Sequence, residues 1–254
     1  SHQGSYTNVV VFGGNSPGVT ANTELWDGTS WTEVGNLATA RYDVGGSGTG
    51  ATSALAFAGG TPPRTAATEE WSFPSAPAVQ EGQMWIKTAT GTSSVMKGYQ
   101  AAGTGAFAAG GNLNTARYSA GGSGTQTAAL MAGGNGNSAD SEEYNGTSWT
   151  EGNNLVAGTN WFSMTGTQTA TIGAGGFGPG ITVNAQAYDG TSWTEVNNLN
   201  LARYAMGAFG ISTSAIVAGG SNPGTSPERR AESESWDGTS WTEVGDLNEV
   251  KHSL

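Results

Sequence analysis

The sequence of 254 residues contains no cysteine, so neither a disulfide nor a thiolate metal site can form within it. It also lacks any apolar run of about 18 residues, the length that a membrane-spanning helix needs. Basic residues are scarce, with nine Lys and Arg against twenty Asp and Glu, giving a net charge of -11. That charge disfavours binding to a phosphate backbone. We therefore expect neither a nucleic-acid partner nor membrane insertion.

The hydrophobic residues Leu, Ile, Val and Phe are scarce as well. Together they make up about 14% of the chain, and with this net charge such a composition is typical of disordered proteins. The aromatic and glycine content argues against disorder. Nine Trp, seven Tyr and 42 Gly provide large rings to bury and many sites for tight turns. This combination favours closely spaced β-strands.

One phrase recurs along the chain. "ELWDGTSWTEVGNLATARY" at residues 24–42 has close copies beginning at residues 142, 186 and 234. Five short apolar runs end in a Gly-Gly pair, whose second glycine is Gly14, Gly60, Gly134, Gly176 or Gly220. Most intervals between these glycines are close to 45 residues, while the second is about 30 longer. A repeat of this length is typical of a four-stranded propeller blade.

Each unit divides into four strands. A short glycine-rich strand is followed by an apolar strand that ends in Gly-Gly, and then by a hairpin whose turn is Asp-Gly or Asn-Gly, a strong signal for two-residue hairpin turns. Five such units predict an all-β fold, a single five-bladed propeller of four-stranded blades over residues 1–254. The phrase "KHSL" at residues 251–254 occupies the slot of "RYDV" at residues 41–44. We therefore expect three N-terminal strands and one C-terminal inner strand to close the ring in a shared blade.

The order Gly-Gly, aromatic, second aromatic, arginine resembles the kelch repeat over nearly the whole chain. The phrases "NGTSWTE", "NLNTARY" and "GTQTAAL" resemble kelch-type repeats of tail-fibre and other structural proteins of bacteriophages, particularly marine ones. The two aromatics are closer together here than in typical kelch repeats, which implies a tighter outer hairpin. The resemblance implies a virion protein, or one displayed outside the cell or on its surface.

Residues present in most units are most simply explained as scaffold. The aromatic pairs are expected to pack between neighbouring blades, because aromatic area is what this chain has to bury. They are Trp26, Trp31, Trp71, Phe107, Tyr144, Trp149, Tyr188, Trp193, Trp236 and Trp241. The recurring Arg41, Arg117 and Arg203 are expected to form structural ion pairs with recurring glutamates, or to cap carbonyls. A charged rim that recognises a ligand is the alternative.

Candidate binding residues are those that break the repeat. The fourth unit replaces "ARY" with "TNWF", so Asn160, Trp161 and Phe162 come near the central channel or its mouth. A tryptophan beside an asparagine suits stacking on a sugar ring with one hydrogen bond. The alternative is that the ring of Trp161 fills the channel. The variable loops after Gly-Gly carry further candidates, Arg64, Arg229 and Arg230, although these loops could equally be ordinary solvated connections.

The long interval contains an insertion at residues 73–105. It takes the place of the turn expected after Trp71, and "EGQMWIKT" and "SSVMKGYQ" within it read as a hairpin resembling small hairpins of phage tail proteins. Met84, Trp85, Ile86, Met96 and Tyr99 would give the hairpin an apolar face. We expect that face either to pack on its own blade or to dock another protein.

No catalytic arrangement is evident. The inner strands carry one carboxylate, Asp43, whereas glycosidase chemistry needs a pair. The two histidines, His2 and His252, lie near the chain ends, and no metal cluster or Ser/His/Asp set emerges. We expect a protein without enzymatic activity, cofactor or metal. Two hypotheses remain: a binding module for a host-surface glycan or protein receptor, and a structural propeller that docks to other virion subunits.

Overall fold

A computed structural model of the chain describes residues 2–5, 8–15, 18–50, 52–61, 64–72, 85–87, 95–97, 106–224 and 228–251. These residues form five four-stranded antiparallel sheets and one separate two-stranded sheet. The prediction of an all-β, five-bladed propeller is confirmed. In the ranges just given, no helix has the length and apolar character needed to cross a membrane.

The blades follow one another along the chain. The first contains β1 (His2–Ser5), β2 (Asn8–Asn15), β3 (Val19–Trp26) and β4 (Trp31–Glu33). The second contains β5 (Gly45–Gly50), β6 (Ser53–Phe57), β7 (Thr68–Ser72) and β10 (Ala106–Ala109). The third contains β11 (Gly121–Thr125), β12 (Ala128–Ala132), β13 (Ser141–Tyr144) and β14 (Trp149–Glu151). The fourth contains β15 (Ser163–Thr167), β16 (Ala170–Ala174), β17 (Ala185–Tyr188) and β18 (Trp193–Val196). The fifth contains β19 (Gly207–Ile211), β20 (Ser214–Ala218), β21 (Ser233–Trp236) and β22 (Trp241–Val244).

The second blade takes its outer strand from beyond the insertion. Phe107 of β10 pairs with Trp71 of β7, although residues 73–105 separate the two strands. Within the insertion, β8 (Trp85–Lys87) and β9 (Val95–Lys97) form the separate two-stranded sheet. The position of Met84 and Tyr99 lies outside the described residues, as do the side chains of Trp85, Ile86 and Met96.

The Asp-Gly turns are held by side-chain caps. Oδ1 of Asp27 accepts hydrogen bonds from the backbone N–H groups of Thr29 and Ser30, each 2.8 Å away. Asp189 and Asp237 repeat this cap, and the backbone donors hold the pKa of all three carboxyls below the usual range. Asn145 makes the same two bonds without a charge. The recurring Asp or Asn is therefore explained by the turn.

In the second blade, the Gly-Gly pair lies one residue later in the repeat than it does in the first blade. The N–H of Gly14 donates to the carbonyl of Arg41, and in the second blade the N–H of Gly59 makes the corresponding bond to Arg117. Gly59, rather than Gly60, is therefore the counterpart of Gly14. Ala58 then takes the position of Gly13, with a φ of 59° against 64° for Gly13. A non-glycine residue in this left-handed conformation costs about 1–2 kcal/mol.

The predicted closure of the ring, with three N-terminal strands and one C-terminal strand, is wrong. All four strands of the first blade come from the N-terminal part of the chain, with β1 paired to β2. The pairing of Gln3 with Val10 in the first blade is equivalent to the pairing of Ser47 with Leu55 in the second, so β1 is the inner strand of the first blade. The sequence does not reveal this equivalence, because Gly59 is offset by one residue and the strand is irregular between Gly48 and Gly50. Residues 252–254 lie outside the described part of the chain.

Among the described residues, the buried hydrophobic side chains form four clusters, one at each seam between consecutive blades from first to fifth. At the seam of the second and third blades, Phe57 packs against Trp149 with ring centroids 5.0 Å apart. Each aromatic pair also stacks across its own hairpin, with centroids 5.0–5.4 Å apart. The aromatic pairs of the second to fifth blades thus join neighbouring blades, because each of these pairs covers the apolar second strand of the blade before it.

The first and fifth blades each have a face that belongs to none of these four seams, and side chains on these two faces are more exposed. Trp31 is 49% exposed, whereas its counterparts Trp149, Trp193 and Trp241 are 5–6% exposed. Ile216 on the fifth blade is 37% exposed, whereas its counterpart Leu130 is fully buried. The same repeat positions therefore contribute less buried area at these two faces than at the four seams.

A tyrosine at the first aromatic position reaches a glutamate on the preceding blade. The hydroxyl of Tyr144 donates to Oε1 of Glu70 at 2.5 Å, and Tyr188 donates likewise to Glu143. Where the aromatic is tryptophan, the corresponding residue on the preceding blade has no carboxylate: it is Leu25 before Trp71 and Ala187 before Trp236. The choice of Tyr or Trp is thus coupled to the neighbouring blade.

This coupling predicts late ionisation of Tyr144. Desolvation first, and then the Glu70 carboxylate, raise its pKa to about 12, against about 10 in an unfolded chain. Since the folded state favours the neutral phenol, its stabilising contribution is complete below about pH 10 and is lost as the pH rises through about 12. We expect Tyr144→Phe to remove a phenolate absorbance that develops near pH 12, measured directly after a jump in pH. If the absorbance that Tyr144→Phe removes develops near pH 10 instead, the raised pKa of Tyr144 is contradicted.

The recurring arginines lie buried between a connection and the blade that follows it. Arg41, Arg117 and Arg203 pair with Glu69, Glu142 and Glu234 at 2.6, 2.6 and 2.9 Å. Each arginine also donates to carbonyls at the end of the second strand and before the third strand of the same blade. Desolvation lowers the pKa of Arg41 and Arg203. These side chains are at most 8% exposed, so they join connection to blade and offer no rim for a ligand.

Candidate functional site: a central depression

A depression of about 630 Å³ opens at the centre of the propeller. Four of its lining residues occupy one position of the repeat, two residues before the start of each inner strand: Asp43, Ser119, Trp161 and Ala205. All four have a positive φ, between 49° and 55°. The chain therefore turns in the same way at each of the four connections, and this turn presents a different side chain from each.

Below these residues the depression is lined largely by glycines of the inner strands, among them Gly46 and Gly122. A second cavity of about 370 Å³ shares Gly46, Gly122, Met164 and Ala208 with it. Because glycine contributes no side chain, the centre of the propeller stays open. The side chains at the mouth therefore determine what can bind.

Trp161 is the bulkiest residue at this repeat position. Its backbone N–H donates a hydrogen bond to the carbonyl of Ser119 at 2.7 Å, which joins it to the preceding connection. Its ring is tilted against Tyr204 with centroids 6.3 Å apart, and Tyr204 meets Phe177 edge-on at 6.2 Å. Trp161 remains partly exposed, and Phe177 is 39% exposed. A bulky residue with a positive φ is a marked exception in proteins.

Asn160 is held by a network that leaves one acceptor unused. Asn137 Nδ2 donates to the carbonyl of Gly178 at 2.9 Å, which turns Asn137 Oδ1 toward Asn160 Nδ2 at 3.1 Å. Asn160 Oδ1 is then buried, and no described residue donates a hydrogen bond to it. Such an unmade bond costs about 1–3 kcal/mol. The backbone of Asn160 also bridges Phe177 through N–H···O bonds of 2.9 and 2.8 Å.

Asp43 supplies the formal charge among the described lining residues. Its Oδ2 accepts a hydrogen bond of 3.4 Å from the hydroxyl of Ser119, on the next connection. Burial raises the pKa of Asp43, and the bond from Ser119 acts in the opposite direction. The depression thus combines an aromatic wall with a partly desolvated carboxylate, both carried by equivalent positions of the repeat.

Of the other predicted binding residues, Phe162 also lines the depression, but it is only 4% exposed and packs in the core with Trp193, with ring centroids 6.2 Å apart. Asn160 is not among the lining residues of the depression. Arg64 is exposed, and its guanidinium lies 5.8 Å from the centroid of the Tyr118 ring. Arg229 is exposed and bridges Ser221, while Arg230 pairs with Glu232 at 3.0 Å. The structure therefore brings Trp161 and Asp43 to one depression, whose lining includes none of the three arginines.

Asp43 and Ser119 are 76 residues apart, so the sequence gives no direct sign that they meet. The sequence identifies Asp43 as the one carboxylate of the predicted inner strands, but not as the hydrogen-bond partner of the Ser119 hydroxyl. The sequence does not mark Tyr204 or Phe177 as site residues, because one belongs to the repeated "ARY" and the other to a variable loop. In the part of the chain that the structure describes, no three His, Asp or Glu side chains group as metal ligands would.

No protein-family profile matches the chain, and no curated protein matches its sequence. Among solved structures, that of YjhT, a kelch-repeat protein, superposes with a TM-score of 0.69 at 12% sequence identity. The match covers 99% of this chain and 84% of that one. The chain is a β-propeller related in structure to YjhT. At this identity the likeness establishes the fold alone.

Proposed function

We propose that the protein is a non-enzymatic binding module that recognises a glycan in the central depression. The observation that carries the proposal is Trp161: a bulky, partly exposed ring on a left-handed backbone, at the mouth of a glycine-lined depression. The equivalent positions hold Asp43, Ser119 and Ala205, which fit this conformation at lower cost. Strained residues concentrate at functional sites, where the surrounding structure maintains them.

The surroundings of Trp161 fit a sugar. Its ring offers an apolar surface for the C–H face of a pyranose, while Asp43 and Ser119 offer an acceptor and a hydroxyl. The repeat phrases resemble those of phage tail-fibre proteins, so the proposed ligand is a glycan or receptor on a host surface, bound by a virion protein. We propose no cofactor, because binding of this kind needs none.

The test is a glycan array followed by calorimetric titration of the best ligand. We expect Trp161→Ala to weaken binding roughly 10–100-fold, since the lost ring removes about 1.5–3 kcal/mol of apolar burial. The variant should fold, because Ala205 fills the equivalent position with a φ of 54°. Trp31→Ala is the matched control, since Trp31 is exposed on an outer hairpin. Full affinity in Trp161→Ala would refute the site, and the absence of any glycan ligand would refute the function.

The hairpin of the insertion supports a second candidate, a structural propeller that docks to other virion subunits. β8 and β9 pair with each other, and neither pairs with a described strand of any blade. Replacing residues 73–105 with Asp-Gly-Thr-Ser, the turn at residues 27–30, should leave the propeller folded. If docking is the function, this variant fails to enter the assembly. If the glycan proposal holds, it keeps full glycan affinity.

A further inference from the structure

The charge of the depression restricts the class of sugar that it can accept, provided that the proposed glycan function holds. Asp43 carries the formal charge of the described lining, which otherwise consists of glycines, apolar side chains and neutral polar groups such as Tyr42, Ser119 and Asn15. Arg64, Arg229 and Arg230 do not line it. A ligand that enters the depression therefore meets a carboxylate and no compensating cation among these residues.

Asp43 has acceptor capacity to spare. Oδ2 accepts the Ser119 hydroxyl at 3.4 Å, and no described residue donates a hydrogen bond to Oδ1. An ionised carboxylate is an acceptor only, with room for about four donors. Vicinal hydroxyls or a protonated amine can supply these donors, and bonds to a charged group are roughly twice as strong as neutral ones. An acidic sugar would instead bring a second negative charge.

Two effects act against an acidic ligand. Asp43 is partly removed from water, so repulsion from a second carboxylate or a sulfate is screened less than at an open surface. The net charge of -11 adds a long-range field of the same sign. A neutral or cationic sugar avoids both costs, and it still places its apolar face on Trp161.

We infer that the central depression is selective for sugars without an acidic group: a neutral pyranose whose vicinal hydroxyls bind Asp43, or an amino sugar whose ammonium group does so. Trp161 is the apolar wall and Asp43 is the residue that determines specificity. Uronates, sialylated and sulfated glycans are rejected.

The experiment compares neutral, amino-sugar and acidic oligosaccharides of equal length against the whole chain. We expect the acidic series to bind at least tenfold more weakly than the other two. Asp43→Asn should weaken the amino-sugar series about tenfold and reduce the discrimination against the acidic series. The variant should fold, because asparagine tolerates a positive φ. Asp189→Asn is the matched control: it removes one negative charge from an outer turn whose counterpart is Asn145, and it should change nothing.

The possible failures are distinguishable. Preferred binding of acidic glycans, weakened by Trp161→Ala, would overturn the charge selectivity while leaving the glycan site intact. Unchanged affinities in Asp43→Asn would likewise overturn the role of Asp43. If none of the three series binds, the proposed glycan function itself is wrong, and the selectivity falls with it.

Discussion

Replacing Glu142 with alanine is expected to lower the free energy of unfolding by about 3–5 kcal/mol, because it leaves a buried guanidinium without its charge partner. Glu142 Oε1 lies 2.6 Å from Nη2 of Arg117, and Oε2 accepts the backbone N–H of Asn114 at 2.8 Å. Both side chains are at most 5% exposed. The substitution therefore detaches the connection from the third blade as well as breaking the ion pair.

The first blade provides the control. Glu24 occupies the equivalent position but is exposed, and Lys251, which fills the arginine slot, pairs with Glu249 at 2.9 Å. Glu24→Ala should change the free energy of unfolding by less than about 0.5 kcal/mol, as is usual for surface substitutions. Urea denaturation of both variants measures the difference. Equal effects for Glu24→Ala and Glu142→Ala would contradict the assignment of these pairs as scaffold.

The fourth blade shows how the pair can be replaced. There Thr159 stands in the arginine slot and Gln186 in the glutamate slot, and Gln186 Oε1 accepts the N–H of Val156 at 2.7 Å. The charge is therefore lost from both partners at once. Arg203→Thr combined with Glu234→Gln should be less destabilising than either single substitution, because no unpaired charge remains buried.

Trp149→Ala is expected to destabilise the protein by about 3–5 kcal/mol, as for other buried tryptophans. The ring is 5% exposed, packs against Phe57 on the preceding blade, and donates from Nε1 to Thr68 Oγ1 at 2.9 Å. Its removal opens a cavity at the seam and leaves a buried hydroxyl without its donor. The substitution therefore weakens the contact between the second and third blades.

Trp31→Ala is the matched substitution at the same repeat position. The side chain is 49% exposed, and its stacking partner Trp26 is on its own hairpin, with centroids 5.4 Å apart. We expect a loss well below that of Trp149→Ala, since less area returns to water. Thermal and urea unfolding of the two variants compare them directly. A Trp31→Ala effect as large as that of Trp149→Ala would show that the seam between the fifth and first blades is packed like the others.

The sequence was sufficient to predict the architecture, because each blade repeats the same local signals. The Gly-Gly pair ends a buried strand, Asp-Gly makes the outer turn, and the interval between repeats gives the count. The register of the second blade was not predictable in this way. Ala58 adopts the left-handed conformation that Gly13 has in the first blade. The sequence therefore suggests that Gly59 and Gly60 match Gly13 and Gly14, whereas the true counterparts are Ala58 and Gly59.

Contacts between blades were the least predictable features. Tyr144 with Glu70, and Asp43 with Ser119, join residues 74 and 76 positions apart. Such partners are set by how neighbouring blades pack, which the repeat period does not reveal. The replacement of Arg and Glu by Thr159 and Gln186 is visible in the sequence, but its meaning depends on knowing that the two slots touch. Trp161 could be predicted to lie near the channel because it interrupts a known repeat slot.

The most direct test of ligand binding in the central depression is the NMR spectrum of the indole N–H groups. The chain has nine tryptophans, and Trp31, Trp85 and Trp161 among them report on an outer hairpin, on the insertion and on the depression. On addition of a bound neutral oligosaccharide, the Trp161 resonance, assigned with Trp161→Phe, is expected to shift most, while those of Trp31 and Trp85 stay in place. A ligand that shifts Trp31 or Trp85 and leaves Trp161 unchanged would show that binding occurs on an outer hairpin or on the insertion, and not in the depression.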